Sequence, residues 1–298
     1  VSGVPLADWP ARLAAVCAET ALFHRGIALE ETASTQDAPE TRGARAGTFV
    51  TAWRQTAGRG RFGRHWSDTA EAGIATTFVV DQQPAERLAL AAAVAAAEAA
   101  EFALRAGAVR GAGAARGAGA ARGTDAAGAV PSSDVVPPRS VGIKWPNDIV
   151  VGGRKLAGAL IETSGGRALI GIGMNIAQQR FEGELEARAT SLAMLGVRVD
   201  RVDVLCELVR ALDRALAATD AGLAEQFAAR DALRGTRALF ATPFGPVEGE
   251  VVSVDPMRGL VVRTDSGEHF LPANSTSVAE WAGRAPSRPA QPDGLKQR

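Results

Sequence analysis

The segment Gly58-Arg59-Gly60-Arg61-Phe62-Gly63-Arg64-His65-Trp66 sets three glycines and three arginines within seven residues and closes on a tryptophan. Glycine frees the backbone and allows it close to a ligand. Arginine offers a rigid fork of donors matched to carboxylate and phosphate. A run with both cannot bury itself, because nothing in it is apolar until Phe62 and Trp66. Taken alone it reads either as an anion-gripping loop that orders around a ligand or as a solvated basic loop. Apolar, β-rich runs stand at both feet: residues 47–53, which deliver Gln55, and residues 73–80. The loop therefore joins two strands.

The surrounding chain alternates strands and helices. Residues 8–19 predict a helix with Asp8 at its cap and Pro10 in its first turn. Residues 27–31 predict a strand, and Ser34-Thr35-Gln36 then turns towards a second helix. Taken alone, its hydroxyls read first as caps of that helix. Residues 84–105 predict a long alanine-rich helix. Beyond it, residues 107–139 repeat Gly, Ala and Arg with almost no large apolar side chain. Such a stretch cannot offset its ordering entropy and predicts a disordered insertion. Short β runs at 141–151 flank Trp145-Pro146-Asn147-Asp148, and Gly152-Gly153 signals a hairpin. Strands follow at 154–162 and 168–175, where Gly171 and Gly173 leave room against one face. Residues 204–217 and 223–232 predict helices, the first with a continuous leucine–valine stripe. From Gly235 four short strands separated by turn residues predict a small antiparallel barrel. The expected domains are 1–234, 235–282 and a disordered tail at 283–298.

Composition excludes several classes. Lys+Arg and Asp+Glu are 33 each, so no general nucleic-acid coat or polybasic membrane anchor is expected. Cys17 and Cys206 stand far apart in helical sequence and predict buried free thiols rather than a disulfide or zinc site. No secretory signal is visible and the longest apolar run is too short to span a bilayer, which predicts a cytoplasmic protein. With three histidines, no D-x-D pair and no triad spacing, neither a metal cage nor histidine base chemistry is indicated. The P-loop pattern is also missing. What remains is catalysis by charge. Lys144 at a strand–turn junction and the loop arginines could hold a carboxylate against a triphosphate and neutralise the developing charge. The product of such an attack is an acyl-adenylate. Taken singly, Lys144 reads as a surface lysine and Trp145 as a core residue or barrel plug.

Four motifs in order carry a family resemblance. They are Gly58-Arg59-Gly60-Arg61-x-Gly63-Arg64-x-Trp66, Lys144-Trp145-Pro146-Asn147-Asp148, Arg154-Lys155-Leu156-Ala157-Gly158 and Gly171-x-Gly173-x-Asn175. Together they resemble the biotin–protein ligases, and the likeness continues through Thr190-Ser191-Leu192 to the C-terminal strands. It implies an α+β fold: a class II synthetase-like catalytic domain with a mixed sheet and helices, followed by an SH3-like β-barrel. It implies ATP and Mg2+, with biotin as substrate, and a biotin carboxyl carrier domain of biotin-dependent carboxylases as partner.

Residue by residue, the resemblance places Ser34, Thr35, Gln36, Gln55 and Gly158 around biotin. Arg59, Gly60 and Arg61 would close over its carboxylate and the phosphate, and Lys144 would stand between the two reacting anions with Arg61 beside it. Arg64, Trp66, Asn147, Lys155 and Asn175 would face the adenylate. No metal ligand is assigned. Gln36 departs from the Ser-Thr-Asn of many relatives. Only 33 residues precede Ser34, so a monofunctional ligase without an N-terminal DNA-binding domain is expected, with room for a weak homodimer. The alternatives are a lipoate–protein ligase of the same fold and a non-catalytic RNA binder using Arg59, Arg61 and Arg64 with Phe62 and Trp66.

Overall fold

The computed structural model describes residues 4–60, 63, 65–66, 72–117 and 140–283. Its central sheet has seven strands: β1 (Arg25–Thr32), β2 (Thr48–Gln55), β5 (Gly73–Asp81), β6 (Val141–Lys144), β7 (Asp148–Val151), β8 (Arg154–Ser164) and β9 (Arg167–Asn175). Their order is β1-β2-β5-β9-β8-β7-β6. Only β1 and β2 run parallel; the other pairs are antiparallel. The sheet is mixed, as expected.

Four longer helices cover it: α1 (Trp9–Cys17), α3 (Ala85–Gly117), α5 (Arg201–Ala217) and α6 (Asp220–Ala228). Helix α3 lies across β6 to β9 and packs on α5 and α6, so the helices form one layer. Its inner face is nearly all alanine, from Ala91 to Ala103, which lets the helix approach the sheet closely. One-turn helices α2 (Pro39–Arg42) and α4 (Leu185–Arg188) complete the set.

Several local expectations need correction. Helix α3 does not stop at Arg105 but runs to Gly117. Gly107 is part of it for a packing reason: a Cβ there would come within 2.8 Å of Val197. Beyond that point alanine, the strongest helix former, outweighs the scattered glycines. The rest of the expected insertion, 118–139, and the tail, 284–298, lie outside the described residues. Asp8 makes no side-chain cap to α1. Within the glycine–arginine segment, Gly58–Arg59 (β3) pairs with His65–Trp66 (β4) as a short antiparallel ribbon. Isolated two-residue strands carry no periodic signal, so the sequence reads only as loop.

The feet of that segment are pinned by a residue the motifs do not include. Arg201, at the start of α5, donates from Nε to the Gly73 carbonyl at 2.8 Å and from Nη2 to the Trp53 carbonyl at 3.0 Å. Its guanidinium also lies over the rings of Trp53 and Trp9, 4.6 and 5.3 Å from their centroids. The end of β2 and the start of β5 are thus fixed to the helical layer.

The C-terminal sheet has five antiparallel strands: β10 (Arg237–Thr242), β11 (Gly245–Asp255), β12 (Gly259–Thr264), β13 (Gly267–Pro272) and β14 (Ser277–Trp281), in the order β13-β12-β11-β10-β14. Strand β14 is absent from the sequence expectation, because its polar residues hide the alternation.

Both cysteines are free, with Cys206 buried and Cys17 half-buried. Burial pushes the Cys206 thiol up to about 11, with Arg12 and Arg210 opposing. A raised thiol favours the folded state below the ordinary value and loses that advantage as pH climbs towards 11. Melting curves of the parent and Cys206→Ala should therefore converge between pH 9 and 11. A constant difference across that window would contradict the burial effect.

Candidate active site

One cavity of about 860 Å³ opens on the sheet and reaches β14 of the C-terminal sheet. Alternation along β9 prepares its floor. Ile170 and Met174 join the core, while Gly171, Gly173 and Asn175 line the cavity. The two glycines are spaces filled by other side chains. A Cβ on Gly171 would lie 2.8 Å from the Gln36 amide carbon, and one on Gly173 would lie 2.5 Å from the Trp66 ring.

The buried polar end comes from the turn after β1. The Thr35 backbone N–H donates to Gln55 Oε1 at 2.9 Å, and the Thr35 hydroxyl reaches the same oxygen at 3.3 Å. Thr77 in turn donates to the Thr35 hydroxyl at 2.8 Å. Gln36 donates to the Leu160 carbonyl at 3.3 Å. Ser34, Thr35, Gln36 and Gln55 are all buried. They do not cap α2, whose N-terminus has no side-chain cap. Buried amides and hydroxyls without an apolar exit must be hydrogen-bonded, and an incoming ring with its own donors and acceptors can join such a set.

The cationic side is organised by Asp148, which sequence reasoning missed. Lys144 Nζ stands 3.2 Å from its Oδ2 and Lys155 Nζ 2.5 Å from its Oδ1. Burial pushes the Asp148 carboxyl up, but Lys155 and Lys144 outweigh it and hold the group below the usual carboxylate range. A three-residue turn between β6 and β7 makes Lys144 and Asp148 cross-strand partners. Lys155 also lies over Trp66, 5.6 Å from the ring centroid. Arg59 lines the cavity while its Nη2 pairs with Asp37 at 3.1 Å and Glu162 at 2.8 Å.

Asn147 donates to the Ala159 carbonyl. Asn175 donates to the Thr190 carbonyl at 3.0 Å and accepts from Gln178 at 3.4 Å, which holds the segment after α4 beside the cavity. Ser34, Thr35, Gln36, Gln55, Arg59, Gly60, Trp66, Lys144, Asn147, Lys155, Gly158 and Asn175 all line this one space. Arg61 and Arg64 lie outside the described residues. Among the described residues, no group of three or more His, Cys, Asp or Glu side chains could hold a metal ion. No helix among them is long and apolar enough to cross a membrane.

The chain thus joins a mixed sheet with one helical layer, a small antiparallel sheet, and a cavity that brings buried amides to clustered cations. The family model "Biotin/lipoate A/B protein ligase family" matches residues 30–178, half of the chain. The chain belongs to that family. It is 32% identical over 208 residues to the biotin–[acetyl-CoA-carboxylase] ligase of Mycobacterium tuberculosis, covering 67% of this chain and 66% of that protein. It is 30% identical over 248 residues to the ligase of the same name from Paracoccus denitrificans, covering 78% and 90%. The chain thus spans about two thirds of the first relative's length. The biotin protein ligase from Aquifex aeolicus, solved with biotin and ATP, superposes with a TM-score of 0.68 over 86% of this chain and 98% of that one. Identity there is 24%, so this likeness shows the fold, α+β with an SH3-like C-terminal sheet.

Proposed function

We propose that the chain is an ATP-dependent biotin–protein ligase. It activates biotin as biotinyl-5′-AMP and passes the acyl group to a lysine of a biotin carboxyl carrier domain of a carboxylase. The observation that carries this reading is the shared cavity, lined both by the buried Thr35–Gln55 cluster and by Lys144, Lys155 and Arg59. Biotin has a ureido ring that needs donors and acceptors and a chain ending in a carboxylate, and both demands are met in one space.

In the first step the biotin carboxylate attacks the α-phosphorus, an O–P bond forms and pyrophosphate leaves. Two anions must come into contact, and no proton moves. Arg59 grips the carboxylate and Lys144 stands between the anions, where its charge counts most as the transition state builds. Arg61 and Arg64 extend the grip by resemblance. Trp66, Asn147, Lys155 and Asn175 hold the nucleotide side. In the second step the carrier lysine attacks the acyl carbonyl and AMP leaves. Of the carboxylates lining the cavity, Asp148 already has both oxygens on lysines, so Mg2+ would enter with the triphosphate. When bound it supplies charge to the triphosphate. Residues 1–234 form the catalytic domain in this reading and 235–282 the C-terminal one.

ATP–pyrophosphate exchange tests the reading. Biotin should drive exchange and lipoate should not. Exchange driven by lipoate alone would move the chain to the other branch of the family, and no exchange with either would remove the ligase assignment.

A further inference from the structure

Lys144 and Lys155 are two ammonium groups on opposite oxygens of one carboxylate, at 3.2 and 2.5 Å. Without that carboxylate the two like charges would repel each other, and each flexible four-carbon stem could swing into water. The arrangement is built into the strands. Asp148 is the cross-strand partner of Lys144 in β6 and of Gly158 in β8. Gly158 opens the path for the second lysine, since a Cβ there would lie 2.9 Å from Lys155 Cε and Nζ and 3.2 Å from Asp148 Oδ1. The missing side chain thus serves the lysine as well as the cavity. Trp66 covers Lys155 from above.

We infer that Asp148 is a positioning residue for adenylate formation. It holds Lys144 and Lys155 at a fixed spacing so that both charges face the reacting anions. The inference rests on the ligase reading above. Catalysis by charge depends on cations that are already in place when the transition state forms, and a displacement of about 1 Å can cost about 100-fold. A plain structural ion pair would stabilise the β6–β7 hairpin and do nothing else.

Asp148→Asn keeps the shape and removes the charge. Its exchange kcat should fall about 10- to 100-fold. Biotin affinity without ATP should stay within about threefold, because Arg59 and the Thr35–Gln55 cluster do not depend on Asp148. In a Lys144→Ala background the same substitution should cost clearly less than it does in the parent, since one of the two ammonium groups it positions is already gone and only Lys155 is left to release. Exchange at the parental rate in Asp148→Asn, or a fully additive loss in the double variant, would overturn the inference. If Asp148→Asn does not fold, Gly158→Ala decides, provided its biotin affinity stays within about threefold: it displaces Lys155 without altering any charge. A loss of about tenfold is expected there, and a parental rate would overturn the inference. Biotin-dependent exchange by the parent is the control. Its absence would overturn the ligase reading and this inference together, whereas its presence confines any failure to Asp148.

Discussion

Lys144→Ala should reduce biotin-dependent ATP–pyrophosphate exchange by about 100- to 1,000-fold, the usual loss when one preorganised charge-stabilising donor is removed. Lys144 is mostly buried, reaches into the cavity from the end of β6 and is held at 3.2 Å by Asp148. Removing it leaves a carboxylate and a triphosphate to meet without the cation between them. It also leaves Asp148 with Lys155 alone, so the residual site is not simply the parent minus one charge. Lys144→Arg should restore little, because a planar fork cannot occupy the place of a point charge between two ligands. Melting temperature should stay near the parental value and biotin binding should weaken less than exchange does, which separates lost chemistry from lost structure. Parental exchange in Lys144→Ala would remove Lys144 from the mechanism.

Most of the residues that line the candidate cavity were legible from local information. The glycine–arginine and Lys-Trp-Pro-Asn-Asp motifs sit at strand ends or turns, and Gly-x-Gly-x-Asn closes β9, so their placement follows from a few neighbouring residues. Ser34 and Gln55 were legible for the same reason, at the ends of strands β1 and β2. What stayed hidden depends on pairing across distance. Asp148 acquires its role only from the register of β6, β7 and β8. Arg201 reads as one more charged residue at a helix start, and only the packed structure brings it to the carbonyls of Trp53 and Gly73. Strand β14 has an exposed, polar edge and shows itself only by pairing with β10. Helix α3 departs from the expectation in the other direction. Glycine content argued for disorder, while alanine propensity and the contact of Gly107 with Val197 carry the helix through.

Trp145→Ala should cost about 3–5 kcal/mol of stability, the range for removing a large aromatic from a packed core. Trp145 is fully buried, and its indole N–H donates to the Pro256 carbonyl at 3.1 Å. That carbonyl belongs to the β11–β12 turn, so this single side chain joins the Lys144 hairpin to the C-terminal sheet. Two backbone bonds tie β6 to the segment that follows α6 instead: Ile143 N–H to the Arg230 carbonyl at 2.7 Å and Ala232 N–H to the Ile143 carbonyl at 3.0 Å. Truncation leaves a cavity and also a carbonyl without its donor, an added penalty of about 1–3 kcal/mol if water does not replace it. At about 2–4 °C per kcal/mol for a protein of this size, the melting temperature should drop by roughly 10 °C. Trp145→Phe retains most of the buried ring and loses only the donor, so its loss should be the smaller one. Exchange activity measured well below the melting temperature should fall in Trp145→Ala more than in Trp145→Phe, because β6 loses its anchor and Lys144 follows it. A melting temperature within about 2 °C of the parent in Trp145→Ala would mean that β6 is held by its backbone bonds alone and that the C-terminal sheet contributes nothing to placing Lys144.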